Sequence, residues 1–159
     1  MMIKVNGSGS QTTSVLFIDA NDKDRYHYGE HLKIFLPDYC IFESATGHAG
    51  LEFFNHTFHT DCVVLEIDLP DMSGYKVLIE LVPAASSPTV PVIVLTRLEN
   101  PMLLELALKN GASAAFFKTT TPPSVLDMAI RTAVSKIPKP VKEATYDIGQ
   151  REYRPATLV

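Results

Sequence analysis

The sequence predicts an α/β fold: a three-layer sandwich in which helices cover both faces of a doubly wound, five-stranded parallel sheet. Three observations predict it. Short apolar runs alternate five times with longer segments of helical period, the order that right-handed βαβ crossovers produce. The third and fourth runs, CVVLEI and VPVIVL, show no polar alternation, which suits strands buried on both faces. Proline and glycine stand where helices should begin and end.

The strands are expected at 14–19 (SVLFID), 40–45 (CIFESA), 62–67 (CVVLEI), 90–95 (VPVIVL) and 114–117 (AAFF). Helices are expected at 22–36, 46–56, 74–82, 100–110 and 123–136. Pro37 and Pro83 follow helix ends, Gly111 supplies a left-handed cap, and Pro101 and Pro123 fit first helical turns. The domain therefore runs over 13–137, with a polar, Gly/Ser-bearing arm at 1–12 and a Pro-flanked tail or linker stub at 138–159. No internal repeat is present.

With 159 residues, 46% apolar composition and a net charge of -4, the chain has the length and apolar content of one domain with its own core. No run of about 18 apolar residues occurs, and the start MMIKVNGSGS has no apolar stretch after Lys4, so neither a membrane span nor a signal peptide is expected. The expected setting is the cytoplasm. Cys40 and Cys62 lie inside apolar runs and too far apart for a ligand pair, so both read as reduced. Lys and Arg do not cluster, which argues against a nucleic-acid footprint.

Ligands of open α/β sheets bind beyond the carboxyl ends of the strands. Those ends carry Asp19, Ala20, Asn21 and Asp22 after the first strand, Glu66 and Asp68 after the third, Thr96 after the fourth, and Lys118 with Thr119 after the fifth. Acids on neighbouring strands hold Mg²⁺ through oxygen, while a hydroxyl and an ammonium stabilise a phosphoryl group.

These motifs stand in one register: E-I-D-L-P-D-M-S-G (66–74), P-V-I-V-L-T (91–96) and G-A-S-A-A-F-F-K (111–118), behind a first strand ending in Asp19. Over residues 13–137 the chain resembles a response-regulator receiver domain of two-component signalling. The resemblance implies a flavodoxin-like strand order 2-1-3-4-5. It also implies a phosphoacceptor position at 66 served by a histidine kinase and Mg²⁺, a switch hydroxyl at Thr96 and an active-site lysine at Lys118.

Four departures from that pattern bear on function. Glu66 stands where the family has its phosphoacceptor aspartate, Ala20 replaces one of the paired acids, Ala115 replaces an aromatic switch residue, and Thr119 replaces the proline after the lysine. A glutamate displaces the nucleophilic oxygen by on the order of 1 Å, enough to cost orders of magnitude in an in-line transfer. Asp19, Glu66 and Asp68 are then a weak Mg²⁺ site, with Asp22 one residue into the helix, and no cofactor is required. The longer carboxylate reaches towards Lys118 and Thr96, so a Glu66–Lys118 ion pair and mimicry of a partly activated state are expected. Asp19 and Asp68 oppose that pair through like charge.

The first functional reading is a phosphorylation-independent receiver that acts by binding a signalling partner or itself, with no catalysis of its own. The second is a phosphorylatable receiver using Asp68 or Glu66. The third, a phosphohydrolase suggested by VVLEIDL, lacks the nucleophilic aspartate and a second general acid. A flavin or nucleotide carrier is disfavoured because DANDKD follows the first strand where a glycine-rich loop would cradle phosphate.

Other residues receive plainer readings. Asp71 and Ser73 are expected to cap the helix starting near Gly74, and Asp22 to cap or charge the first helix. His27 with His31, and His56 with His59, lack a third metal ligand. On the fourth helix, Leu103, Leu106 and Ala107 form the expected core stripe. Leu104 and Leu108 are an extra apolar pair, either half-covered by a neighbouring helix or a dimer or partner surface. Phe116 and Phe117 should enter opposite helical layers.

Overall fold

The computed structural model describes residues 12–138, apart from 58 and 87. The arm and tail expected from the sequence lie outside the described residues except at Thr12 and Pro138. Five strands, β1 (Thr13–Ile18), β2 (Tyr39–Ser44), β3 (Cys62–Leu65), β4 (Val92–Thr96) and β5 (Ala114–Phe117), form one parallel sheet in the order β2-β1-β3-β4-β5. The intervening helices are α1 (Asp22–Phe35), α2 (Gly47–His56), α3 (Gly74–Leu81), α4 (Pro101–Lys109) and α5 (Pro123–Lys136), with a short 3₁₀ turn at Lys118–Thr120.

The unbroken apolar runs follow from burial on both faces of the sheet. Leu16, Ile18, Val63, Leu65, Val92 and Val94 face α2, α3 and α4, where Leu51, Val77, Leu78 and Ala107 meet them. Val15, Phe17, Cys62, Val64, Ile93 and Leu95 face α1 and α5, against Leu32, Leu126 and Ile130. Alternation along the central strands therefore feeds two cores, which is why β3 and the body of β4 carry apolar side chains on both faces.

Helix ends are set locally. Asn21 and Ser73 accept backbone N–H bonds at the starts of α1 and α3, Pro101 and Pro123 occupy first turns, and Gly111, at φ +98°, ends the α4 segment in the left-handed region.

Two expectations are corrected here. Leu106 is exposed rather than core, because α4 is rotated so that its sheet-facing stripe runs through Leu103 and Ala107. Leu104 is half-buried, while Met102, Leu106 and Leu108 face outward. Asp71 does not cap α3. Its carboxylate accepts from the backbone N–H groups of Gly47 and His48, both at 2.9 Å, and so caps α2 from the loop after β3. Ser73 alone caps α3, and Asp22 sits in the first turn of α1 behind the Asn21 cap.

Candidate functional site

Residues just past β1, β3, β4 and β5 converge at the carboxyl edge of the sheet. Glu66 extends β3 by one residue, its N–H donating to Ile18 O at 2.9 Å, and its side chain is almost wholly buried. A buried carboxylate requires donors, and this one has them from four residues. Oε1 accepts from the Thr96 hydroxyl at 2.5 Å, from Ile67 N–H at 2.7 Å and from Asp68 N–H at 3.1 Å. Oε2 accepts from Arg97 N–H at 3.1 Å and lies 3.0 Å from Lys118 Nζ. The Glu66–Lys118 ion pair expected from the sequence is therefore present.

The loop bearing Glu66 closes back on itself through Gly74, whose N–H donates to Ile67 O at 2.8 Å. A Cβ at Gly74 would lie 2.4 Å from Glu66 O and 2.6 Å from Ile67 Cα, so only glycine permits this approach. Thr96, at the end of β4, is fully buried and accepts from Leu98 N–H at 3.1 Å while donating to Glu66.

Lys118 opens the 3₁₀ turn, which Tyr28 anchors by donating its hydroxyl to Thr121 O at 2.8 Å. Its ammonium donates to Asp19 Oδ2 at 2.5 Å and to Asp24 Oδ2 at 2.8 Å, besides the Glu66 contact. Asp19 Oδ1 accepts from Asn21 N–H at 2.9 Å. Asn21 in turn caps α1 by accepting from Asp24 N–H at 3.1 Å, which sets the Asp24 side chain on the first turn facing the site. Arg97 closes the ring with an ion pair to Asp24 Oδ2 at 3.2 Å.

Burial pushes the Asp19 carboxyl up, and its bonds from Lys118 and Asn21 offset this only in part, so it lies above the ordinary carboxylate value. Burial pulls Lys118 down, but Asp19, Asp24 and Glu66 more than compensate, and the ammonium is held above its ordinary value.

The structure thus brings together Asp19, Glu66, Thr96 and Lys118. It leaves Asp68 exposed on the loop and Asp22 exposed on α1. Sequence reasoning missed Asp24 and Arg97. The spacing Asn21-x-x-Asp24 was a legible capping signal, but nothing in the sequence aims Asp24 at Lys118.

A cavity of about 370 Å³, bordered by Asp19, Ala20, Glu66, Asp68 and Arg97, opens over the carboxylates. A larger one, about 630 Å³, lies between β5 and α5 against Ala114, Phe116 and Met128, and includes none of Asp19, Glu66, Thr96 or Lys118. Ala115 packs against the α2–α4 layer and Phe116 against the α1–α5 layer. His31 and His56 each bond a carbonyl one turn back on their own helices, and His59 pairs with Asp61.

The residues fit a divalent cation poorly. Both oxygens of Asp19 and of Glu66 already accept from protein donors, Ala20 offers none, and among the described residues no three His, Cys, Asp or Glu side chains form a metal-holding group.

Residues 15–130 match the family model described as the response regulator receiver domain. The fold is similar to the BeF3-activated N-terminal receiver domain of Klebsiella pneumoniae RstA, with 25% identity and a TM-score of 0.67 over 77% of this chain and 98% of that one. It is also similar to a response regulator receiver domain protein from Clostridium thermocellum (24% identity, TM-score 0.64, 77% of this chain and 94% of that one). A third similar structure is a CheY-like receiver domain protein from Methanospirillum hungatei JF-1 (22% identity, TM-score 0.66, 79% of this chain and 95% of that one). No curated protein matches the chain. The family match spans most of the sequence and coincides with the sheet and site described above: the chain belongs to the response regulator receiver domain family of two-component signalling.

Proposed function

We propose that this receiver is a phosphorylation-independent interaction module, its site held in one state by Glu66. The observation that carries this reading is that both receiver-type switch groups already engage the Glu66 carboxylate, Thr96 on Oε1 at 2.5 Å and Lys118 at Oε2 at 3.0 Å. A phosphoryl group on a shorter side chain would offer oxygen acceptors to the same hydroxyl and ammonium; here the longer carboxylate supplies them permanently. Both oxygens already accept from backbone and side-chain donors, which hold the carboxylate away from the geometry of an in-line nucleophile.

No cofactor is required in this reading, and Mg²⁺ bound through Asp19, Glu66 and Asp68 is weak. The module performs no chemistry of its own and works in the cytoplasm by contact with a signalling protein, either a histidine kinase or an output partner, or with a second copy of itself. Leu104 and Leu108, one turn apart on α4, form the proposed contact face, with Leu108 exposed and Leu104 half-buried. With Ala115 carrying no ring, output passes through the β4–α4 backbone that Thr96 and Arg97 tie to Glu66.

A phosphorylatable receiver is the second reading. It is favoured by the exposed Asp68, which borders the same cavity as Asp19. Adding beryllofluoride with Mg²⁺ and following backbone amide NMR signals separates the two. The first reading expects unchanged signals for Thr96, Arg97 and Lys118; saturable shifts there would overturn it.

A further inference from the structure

The Mg²⁺ that the family resemblance implies does not fit these residues, and the misfit has a definite form. An ammonium carries three N–H donors. Lys118 spends two on Asp19 and Asp24, at 2.5 and 2.8 Å, and lies 3.0 Å from Glu66. The three carboxylates come from three separate elements, the end of β1, the first turn of α1 and the end of β3. Lys118 and Asp19 are each 8% exposed and Glu66 2%, so the cluster is largely out of water.

The carboxylate missing at position 20 has been replaced from a different direction. Ala20 is exposed and brings no oxygen. Asp24, one helical turn further on, is fixed by the Asn21 cap and reaches the ammonium from α1. Arg97, from the loop after β4, then pairs with the same Asp24 oxygen at 3.2 Å. Three carboxylates and two fixed cations leave the cluster with one net negative charge, short of what a hard divalent ion with six or more oxygen ligands requires.

We infer that Lys118 is the resident cation of this site, its ammonium occupying the carboxylates that a divalent metal would need, with Asp24 the positioning residue that completes its carboxylate shell. The inference rests on the proposed function and deepens it. A metal ion must compete with a tethered ammonium for Asp19 and Glu66, so the site stays closed to divalent ions although it is acidic. Removing the ammonium uncovers three converging carboxylates, which are hard oxygen ligands for Mn²⁺ or Mg²⁺.

The test is a Mn²⁺ titration of the full chain, read by electron paramagnetic resonance of free Mn²⁺ and by thermal melting at constant ionic strength. Wild type, Lys118→Met, Lys118→Met with Asp24→Asn, and Ala20→Asp are compared. The expected result is that Lys118→Met binds Mn²⁺ at least about tenfold more tightly than wild type, melts higher with Mn²⁺, and loses both gains when Asp24→Asn is added. If Lys118→Met needs Mn²⁺ to fold, metal-dependent refolding that Asp24→Asn abolishes gives the same result.

Ala20→Asp keeps the fold-neutral, exposed position and retains Lys118, so it should gain little Mn²⁺ affinity. A tenfold gain from Ala20→Asp alone, or none from Lys118→Met when folded, would overturn the resident-cation account. If Lys118→Met stays unfolded in Mn²⁺, the Ala20→Asp titration decides by the same criterion. Mn²⁺ binding by wild type without any phosphoryl gain removes this inference alone, whereas phosphorylation of wild type removes the function proposed above.

Discussion

The Thr96 hydroxyl donates to Glu66 Oε1 at 2.5 Å, with Thr96 fully buried and Glu66 nearly so. The hydroxyl that the family resemblance assigns as a switch is therefore fastened to the protein's own carboxylate. Thr96→Val keeps the side-chain shape and removes the donor, leaving Glu66 one bond short and Leu98 N–H without its acceptor. The expected loss is about 1–3 kcal/mol of stability, measured by urea unfolding. A change under about 0.5 kcal/mol, within the range of an ordinary surface substitution, would show the bond to be inconsequential.

Lys118→Ala should destabilise more, by about 3 kcal/mol, because it strands buried carboxylates without a counter-charge. Asp24 is partly exposed, and its share is screened. The pH dependence has a definite sign. Lys118 is held above its ordinary value of 10.5 in the fold, so its contribution is fully present below that value and is lost as pH rises through the folded value. Wild type should lose stability steeply on the alkaline side of 10.5, and Lys118→Ala should lack that component. Parallel alkaline limbs would contradict the ion cluster.

Gly74→Ala places a methyl group 2.4 Å from Glu66 O and 2.6 Å from Ile67 Cα. Both are backbone atoms, so no side chain can swing aside. The expected cost is about 1–3 kcal/mol, with amide shifts concentrated at Glu66, Ile67 and Thr96. Shifts confined to α3 would mean that the glycine serves the helix alone.

Much of this was legible in the sequence. The doubly buried strands announced themselves because a residue on either face of β3 or β4 meets a helix, leaving no place for polar alternation. The pairing of Glu66 with Lys118 was legible because both sit at strand ends whose position in the sheet is set by chain order. Asp24 and Arg97 were not, since their roles depend on how α1 and the β4–α4 loop lean over the edge, which no local pattern encodes. Leu106 was misplaced for a related reason: Leu104 and Leu106 flank the same helical stripe, and only the rotation of α4 on β5 chooses between them. Asp71 was assigned to the nearer helix because capping rules see only sequence neighbours, whereas its partners, Gly47 and His48, lie across space.

That long-range cap makes its own prediction. The N–H groups of His48 and Gly47 hold the Asp71 carboxyl well below the ordinary value of 3.8, so its contribution is present above that value and is lost as pH falls through the folded value. Asp71→Ala should melt lower than wild type at neutral pH and converge with it in strong acid. Taking the difference between the two curves cancels the opposite acid response of Asp19, whose carboxyl is raised by burial in both proteins. A difference that does not shrink in acid would separate the effect from the carboxylate charge.

The central claim is that one extra methylene at position 66 holds this receiver out of a phosphorylation cycle. Its most direct test is intact-mass spectrometry after incubation with Mg²⁺ and a small acyl-phosphate donor, on wild type and Glu66→Asp side by side. Glu66→Asp withdraws the carboxylate from Thr96 and Lys118, while Lys118 keeps its bonds to Asp19 and Asp24. The account predicts no added phosphoryl mass on wild type under conditions where any gain is confined to Glu66→Asp. A phosphoryl group on wild type, mapped to Glu66 or Asp68, would contradict it.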